Sequence, residues 1–443
     1  MSGESGNEGG PGRDEPDGNG RRAGDEPREG GHGEAPSTLD RRGVLTDAMD
    51  GRRPNFLQSE SPSDDASWTD RVGAITRRGA LSALGAGALF GTDFLSTVRG
   101  ASPKTVEIPA LLSGDSVVKY EKVSEDWVQH REQARTAKRK LVDAVGNRPD
   151  VFSVGLTQGE GRYGGERGFR IRVQSTDPAQ ARDLPDSVED VPVAVESAPE
   201  SHGPGGCNNA YDEEYAVGGE VVGWTGGGYG TATAAVNYDY SDETYLLHCA
   251  HVFWDDCDDA KNNSLSGRGA HRGTYCQSGQ TGIGEVSWMW DRKGDYVLIE
   301  PDDDSSFWQY VDDNYGYPDI AGRVSESYID YMASNGDDEP IYSMGATDGR
   351  TEGDIITSDV SFTFTCINFR DEGVEATTQF ANGDSGGPTW YSYDGDAYIT
   401  HVNSYRYWDH GTVETCCNNT AQYGNALGTA GYYIQNDEPI SFG

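Results

Sequence analysis

Positive charge is scarce in this 443-residue chain, and the shortage limits what the protein can bind. Lysine and arginine together number 35 against 74 aspartates and glutamates, which gives a formal net charge of −39. A strongly acidic surface repels nucleic acid and anionic membranes. We therefore expect no nucleic-acid partner and no attachment to anionic lipid.

The sequence also offers no membrane anchor, because a spanning helix needs about 20 apolar residues. The apolar stretch 80–90 is too short, but it follows the arginine pair of TRRGAL at 76–81. Paired arginines before a short apolar segment resemble a twin-arginine export signal. We therefore predict a signal segment at 76–102 and an extracellular protein, with the start at Met1 or Met49. A small buried helix after the arginine pair is the alternative.

Cysteine is limited to seven residues, and all of them follow Gly203. Disulfides persist outside the cytosol, so this distribution agrees with export. The pairing stays open, and the odd count leaves one thiol over. The candidate pairs join Cys249 to Cys257 or Cys276, Cys257 to Cys276, and Cys366 to Cys416 or Cys417.

The excess of negative charge extends into the part of the chain that we expect to fold. From residue 203 onward the sequence has 40 acidic and 9 basic residues. Such an excess repels itself at low salt and is screened at high salt. The hypothesis that follows is a protein adapted to concentrated brine, of the kind found in halophilic archaea.

Composition separates an N-terminal region from a small domain. Residues 1–75 are rich in Gly, Asp, Glu, Arg, Pro and Ser and poor in aromatics, so we expect disorder. Residues 103–200 predict a small α+β domain, in which Ser124 caps a helix with Trp127 and Leu141 at helical spacing. Strands are predicted at 151–156, 169–174 and 191–195. The Pro-Gly segment 201–206 is the predicted boundary.

Residues 203–443 predict an all-β domain. Short runs rich in Val, Ile, Thr, Tyr, Phe and Trp alternate with turns of Gly, Asn and Asp, and no long amphipathic helix is evident. The predicted strands include 219–224, 231–238, 244–248, 295–300, 360–367 and 398–402. About 240 residues of such strands fit a pair of β-barrels or a sandwich.

The segment 382–388 reads NGDSGGP and places Ser385 among glycines. Almost no side-chain bulk surrounds its hydroxyl, as a nucleophile requires. Glycines accept dihedrals that let backbone N–H groups converge, and converging N–H groups stabilise an oxyanion. A hydroxyl is inert near neutral pH without a base and an orienting acid, so both are expected elsewhere. A plain glycine-rich surface turn is the alternative.

A base and an acid are found upstream of this serine. His251 lies in the apolar run TYLLHCAHVF at 244–253, and Asp295 opens a second apolar run. The order His251, Asp295, Ser385 has gaps of 44 and 90 residues, close to the roughly 45 and 93 of a chymotrypsin-type triad. From about residue 203 to 443 the chain therefore resembles the trypsin-like (chymotrypsin-fold) serine proteases, with GDSGGP as the most specific motif.

The resemblance implies a fold and a set of roles. The catalytic domain at 203–443 would be all-β, with two antiparallel β-barrels, preceded by the small α+β domain and the disordered N-terminus. Ser385 would attack the scissile carbonyl, His251 would carry the proton, and Asp295 would orient His251. The backbone N–H groups of Gly383 and Ser385 would form the oxyanion hole. The α+β domain resembles a propeptide or accessory domain, with a role in folding or inhibition.

The resemblance also indicates three substrate-binding residues. Ser404, 19 residues after Ser385, would lie near the catalytic acid on a strand edge that pairs with a bound peptide. Its neighbour Tyr405 would help to shape the substrate pocket. Gln379 stands where an acidic residue would select basic side chains, so a trypsin-like preference is not expected. We expect protein or peptide substrates, no cofactor, and a monomer.

A metal site is one alternative. Strand alternation puts His248 and His251 on opposite faces, which weighs against a zinc site that would include both. Cys249 and Cys257 are the other two candidate ligands. The acidic clusters at 255–259 and 302–304 fit calcium or, more simply, a solvated acidic face.

Two further alternatives concern the activity. GDSGG also fits the GxSxG elbow of α/β-hydrolases, which would make the chain an esterase with His401 or His410 as base. That fold needs a helix straight after the serine, and Gly386, Gly387 and Pro388 oppose one. A catalytically inactive protease-like binding module is the non-enzymatic alternative.

Overall fold

The computed structural model describes most of the chain from residue 103 onward. The described residues are 103–145, 148, 151–175, 180–196, 216–224, 228–241, 243–254, 265–273, 281–288, 294–312, 316–336, 340–364, 367–414 and 420–443. All of them belong to one compact unit, Phe90–Gly443. The predicted disordered region at 1–75, the signal segment at 76–102 and the boundary at 201–206 lie outside the described residues.

The α+β part contains one long helix and a small sheet. Its elements are β1 (Thr105–Ser113), β2 (Ser116–Ser124), α1 (Glu125–Val145), β3 (Val151–Tyr163), β4 (Glu166–Ser175), β5 (Ser187–Val188) and β6 (Val191–Glu196). Ser124 caps α1, since its Oγ accepts the Trp127 N–H at 3.1 Å. The apolar side of α1, with Trp127 and Leu141, packs against β3 and β4.

Eight antiparallel strands form the first sheet of the all-β part. They are β8 (Val221–Trp224), β9 (Tyr229–Thr231), β10 (Ala234–Tyr238), β11 (Thr244–His248), β12 (Gly269–Arg272), β13 (Thr281–Trp288), β14 (Val297–Pro301) and β24 (Ile440–Ser441). Their order in the sheet is β24-β10-β11-β14-β13-β12-β8-β9. The strands β7 (Ala216–Gly218) and β15 (Phe307–Val311) pair in parallel beside it. Consecutive apolar residues of β10, β11 and β14 are buried, so these strands contribute both of their faces to a core.

The second sheet carries the serine motif between two of its strands. Its strands are β16 (Ile320–Val324), β17 (Ile341–Gly345), β18 (Gly349–Gly353), β19 (Ile355–Phe364), β20 (Ile367–Ala381), β21 (Pro388–Tyr393), β22 (Asp396–Glu414) and β23 (Thr420–Ala430). The order β18-β17-β21-β22-β23-β20-β19 is antiparallel throughout. Two short helices, α2 (Glu326–Asn335) and α3 (Gly431–Asp437), accompany it.

The sheet of the α+β part continues the second sheet. Strand β3 pairs antiparallel with β19, where Leu156 is the register partner of Ser358. Strand β1 pairs with β16, where Leu111 is the partner of Val324. Backbone hydrogen bonds therefore join residues upstream of 200 to the sheet that holds the serine motif.

The predicted fold class is confirmed, since the part after residue 203 is built mainly of antiparallel strands and a small α+β part precedes it. The helices α2 and α3 were not predicted. A strand, β21, follows Ser385 where an α/β-hydrolase would have a helix, so the esterase alternative is wrong about the fold. No helix in the described part of the chain has both the length and the apolar content needed to cross a bilayer.

Candidate active site

His251 and Asp295 meet at one end of the first sheet. The last residue of β11, His248, is the register partner of the first residue of β14, Val297. His251 follows β11 by three residues, in a short 3-10 helix, and Asp295 precedes β14 by two residues. Neighbouring antiparallel strands thus bring both side chains to the same edge.

The two side chains are hydrogen bonded. His251 Nδ1 lies 2.6 Å from Asp295 Oδ2, and the His251 backbone N–H donates to Asp295 Oδ1 at 2.9 Å. The Asp295 side chain is fully buried, while 19% of the His251 side chain is exposed. The carboxylate therefore fixes the ring orientation and engages Nδ1, so Nε2 is the ring nitrogen left for proton transfer.

The electrostatics of this pair favour the charged imidazole. Burial by itself would lower the pKa of His251, but the adjacent Asp295 carboxylate and, to a lesser extent, Cys249 raise this pKa well above its ordinary 6.5. His248, buried nearby, shows the opposite case, because burial lowers its pKa to about 4. At His251 the adjacent carboxylate outweighs burial, whereas at His248 burial outweighs the weaker influence of the same carboxylate.

Cys249 is the third member of this cluster. Its thiol is free and buried, and burial raises its pKa. A free thiol does not support the predicted bridge from Cys249 to Cys257 or Cys276, and the other six cysteines lie outside the described residues. Any other disulfide stays a prediction.

A tetrahedral metal does not fit this cluster as it stands. Donor atoms of Cys249, His251 and Asp295 lie within 4.8 Å of one another. Zinc bonds of about 2.0 Å would hold nitrogen and oxygen ligands about 3.3 Å apart. The His251 and Asp295 atoms are 2.6 Å apart, which is a hydrogen-bond distance. We therefore interpret the three as a hydrogen-bonded group.

The loop that carries Ser385 connects β20 to β21 and depends on its glycines. Gly383 and Gly386 have φ values of 105° and 92°, in the left-handed region that glycine tolerates. A Cβ at Gly386 would lie 2.3 Å from the Thr231 carbonyl oxygen and 2.7 Å from the His248 ring. Side chains at these positions would therefore push the loop away from the first sheet.

Some backbone N–H groups of this loop have acceptors among the described residues and others do not. The N–H groups of Asp384, Gly386 and Gly387 donate to Ala381, Asn403 and Asp384 carbonyl oxygens respectively. The N–H groups of Gly383 and Ser385 donate to no residue that the structure describes. These are the two groups predicted from the sequence as an oxyanion hole.

Direct contacts hold the serine loop against the first sheet. The Thr231 N–H donates to the Ser385 carbonyl oxygen at 2.7 Å, and Thr231 Oγ1 donates to the Gly383 carbonyl oxygen at 2.8 Å. A Cβ at Gly230 would meet the Ser385 carbonyl oxygen and also Val252, the residue after His251. The serine loop and the His251 helix thus pack against the same strand, β9.

The three predicted substrate-binding residues lie around this loop. Gln379 is buried and pairs across the strands with Asn425. Ser404 is buried, and its Oγ lies 3.4 Å from the Val402 carbonyl oxygen. Tyr405 is partly exposed. No described contact assigns any of the three to a substrate, and their binding roles stay predictions.

Tyr405 also has a neighbour from the α+β part. Its ring lies 5.6 Å, centroid to centroid, from the ring of Phe152 in β3. Both rings pack on a buried apolar cluster that also receives Trp254, three residues after His251. The upstream part of the chain therefore contributes an aromatic side chain close to the site.

One buried acid at this site escaped the sequence analysis. Asp348, in the turn between β17 and β18, faces Asp384 of the serine motif. The TDG sequence around it reads as an ordinary turn, and the contact joins residues 36 positions apart. Only the unusual burial of an acid, which a sequence does not display, marks it.

Comparison with known proteins gave structural matches only. No family model and no curated protein matches the chain. It is similar to a glutamic-acid-specific serine protease that uses a histidine triad in substrate binding, with 19% identity over 52% of this chain and 100% of that one and a TM-score of 0.37. It is also similar to Nocardiopsis protease, with 14% identity over 51% and 97% and a TM-score of 0.35.

A third similar structure is the MamO protease domain from Magnetospirillum magneticum. The match has 11% identity over 50% of this chain and 96% of that one, with a TM-score of 0.28. These structures are serine proteases or a protease domain by description, and the similarity concerns the fold, not substrate or activity.

Proposed function

We propose that the chain is a serine endopeptidase that hydrolyses peptide bonds through His251, Asp295 and Ser385. The observation that carries the proposal is the 2.6 Å hydrogen bond between His251 and Asp295, beside a glycine-lined serine loop packed on the same strand. Nucleophilic catalysis requires an oriented imidazole and an unhindered hydroxyl, and the proposal is that the two act on one substrate.

The proposed reaction has two stages. Ser385 Oγ attacks the scissile carbonyl carbon while His251 Nε2 accepts the hydroxyl proton, and the same proton then passes to the departing amine. Water attacks the resulting acyl-enzyme ester in the second stage, with His251 again as base, and Ser385 is released. Asp295 holds the ring and stabilises its charged form, in agreement with the raised pKa of His251.

The unused N–H groups of Gly383 and Ser385 support an oxyanion hole. Each would donate to the carbonyl oxygen as negative charge develops on it, and two such donors lower the barrier substantially. Because the backbone N–H groups of the three neighbouring loop residues are already bonded, these two are oriented before substrate arrives.

The substrates in this proposal are proteins or peptides bound as an added strand near Ser404 and Tyr405. Gln379 is uncharged, so it gives no reason to expect selection of basic side chains. The proposal includes no cofactor, a monomeric enzyme, and no nucleic-acid partner or membrane anchor.

Export by the twin-arginine route and activity in brine belong to the same proposal. The arginine pair before an apolar segment supports export, and the net charge of −39 supports activity in brine. In this view residues 103–200 help the catalytic domain to fold or restrain it.

A peptide-library digest in molar salt tests the reaction class. The purified chain should release new amino termini from internal peptide bonds, and a matched Ser385→Ala chain should release none. Cleavage by neither chain would leave the inactive binding module as the better description, and equal cleavage by both would show that Ser385 is not the nucleophile.

A further inference from the structure

The serine loop is tied to its surroundings by one carboxylate. Asp384, the residue before Ser385, is 1% exposed. Its Oδ1 accepts the Thr347 N–H at 2.7 Å, and its Oδ2 accepts the Ala381 N–H at 2.6 Å. These bonds fix the loop to the turn between β17 and β18 and to the end of β20. The position of the loop therefore depends on this side chain.

A second buried carboxyl group lies beside it. Asp348 is also 1% exposed. Among the described residues, its carboxyl group interacts with Asp384, with the neutral Gln379 side chain and with its own backbone N–H. A Cβ at Gly345 would lie 2.1 Å from Asp384 Oδ1 and 2.8 Å from Asp348 Oδ1, so both oxygens approach the same small volume. Two buried acids thus face each other.

No described cation compensates this pair. Neither acid forms an ion pair with a described lysine, arginine or histidine. The neighbouring charged and titratable groups are engaged elsewhere, and Gln379 of β20 contributes only a neutral amide. The guanidinium of Arg350 on β18 stacks 4.1 Å from the Tyr342 ring, Arg406 on β22 donates to Asn382, and His248 of β11 faces Gly386.

Two carboxylates in contact in a dry site cannot both be ionised. Burial, and then the adjacent Asp384, raise the pKa of Asp348 well above its ordinary value. Burial also raises the pKa of Asp384, while contacts with Asp348 and with the N–H groups of Ala381 and Thr347 oppose that rise. The proton of the pair therefore resides chiefly on Asp348, and the pair titrates as a unit.

We propose that Asp348 is a positioning residue, whose protonated carboxyl group donates a hydrogen bond to Asp384 and so holds the Ser385 loop in place. The effect of Asp348 on catalysis rests on the proposed function, whereas the proton shared by Asp348 and Asp384 is independent of that function. Gly383 and Ser385 flank Asp384 directly, so a shift of Asp384 displaces both oxyanion N–H groups.

The proton makes the loop sensitive to alkaline pH. Between the ordinary carboxyl pKa and the raised pKa of Asp348, the folded chain binds a proton that the unfolded chain has released. Stability therefore falls as pH rises through this window, and it reaches its low plateau above the raised pKa. Loss of the proton leaves two negative charges in contact, and their repulsion displaces the Ser385 loop.

The first experiment compares the pH profiles of kcat for variants of Asp348. Asp348→Asn keeps a donor toward Asp384 without a titrating proton, so it should remove the alkaline fall in kcat. Asp348→Ala has no donor and should lower kcat at least tenfold at every pH, with a smaller change in KM. Glu352→Gln, an exposed acid of the next strand, is the matched control and should keep the wild-type profile. An unchanged alkaline fall in Asp348→Asn would overturn the proposal.

The second experiment does not need activity. Infrared difference spectra between Ser385→Ala and Ser385→Ala/Asp348→Asn chains at neutral pH should show one protonated carboxyl band in the former. If that band is present and the wild-type chain shows no peptidase activity, the proton is supported and the proposed function is refuted. Absence of the band would overturn the proposal. A melting temperature that is higher in sodium chloride than in the same concentration of a bulky organic cation's chloride would mean that a bound ion replaces the proton, and would also overturn it.

Discussion

The backbone N–H of Asp295 donates to Oγ1 of Thr429 at 3.1 Å. Asp295 belongs to the first sheet, and Thr429 lies in β23 of the second, so this bond joins the acid of the site to the sheet that carries Ser385. The Asp295 side chain bonds His251 on its other side. The hydroxyl of Thr429 thus helps to set where the imidazole sits relative to the serine loop.

Replacing Thr429 should therefore affect stability and rate together. Thr429→Val keeps the shape but leaves a buried N–H without its acceptor, which costs about 1–3 kcal/mol. Thermal unfolding and kcat measured on the same samples should both fall. Thr429→Ser retains the hydroxyl and should stay close to wild type. A valine variant with wild-type kcat would show that the bond does not position Asp295.

The pH dependence of peptidase activity should follow His251. Because the Asp295 carboxylate raises the pKa of His251 well above 6.5, the neutral base forms only at higher pH, and kcat/KM should rise through that alkaline-shifted value. Asp295→Asn removes the charge, so the rise should move to lower pH while kcat falls by about 10⁴-fold.

The same pKa shift has a stability consequence of defined sign. Protonated His251 contributes stability that is fully present below its ordinary pKa and is lost as pH rises through the raised value. Denaturant unfolding as a function of pH should show this loss in the wild type and not in Asp295→Asn. A loss of stability with rising pH that stays at the same pH in Asp295→Asn would contradict the assigned partnership.

Salt should stabilise the chain strongly. The acidic residues repel one another at low ionic strength, and molar salt screens them because the Debye length falls to about 3 Å. Thermal unfolding by circular dichroism should give a higher midpoint in molar potassium chloride than in dilute buffer, whereas sucrose at equal osmolality is the uncharged control. Equal midpoints at low and molar salt would refute the brine hypothesis.

The α+β part should be needed for the second sheet to form. Arg172 of β4 donates to Glu375 of β20 at 2.9 Å, and both side chains are buried. Removing one partner of a buried pair leaves an uncompensated charge and costs about 3–5 kcal/mol. Arg172→Met should lower stability by this order, and the exposed pair of Lys122 and Glu107 provides the control, in which Lys122→Met should change little.

Deleting the α+β part tests the same interface. A chain of residues 203–443 would leave β19 without the strand that pairs with its edge, and Glu375 without Arg172. We expect low yield and little activity from it, with rescue by the separate fragment 103–200 in trans. Full yield with unchanged activity would remove the role in folding and in positioning β20.

Local sequence signals were sufficient for the elements that hold the pair of His251 and Asp295. The apolar run 244–248 coincides with β11, and the run that starts at Asp295 overlaps β14. Both strands are short and largely buried, and an acidic residue lies before each, Glu243 before β11 and Asp295 before β14, so the hydrophobic pattern is clear. The helix cap at Ser124 likewise predicted the start of α1.

Other features depend on contacts that a sequence does not display. The pairing of β3 with β19 joins residues about 200 positions apart, and strand pairing at that distance is decided by packing. The contact between Asp348 and Asp384 likewise depends on packing between distant segments, so no local sequence pattern predicts it. Helix α2, by contrast, has a local sequence signal, because Ser325 caps its start and Gly336 ends it. The helix has only ten residues, so this signal is easily overlooked in the sequence.

The measurement that bears most directly on the proposed function is labelling by a fluorophosphonate, which reacts only with an activated serine hydroxyl. Peptide mapping after labelling in molar salt should find a single adduct at Ser385, and His251→Ala should abolish it although the serine remains. Failure of the folded wild-type chain to form this adduct, or equal labelling of the His251→Ala chain, would contradict a serine activated by His251.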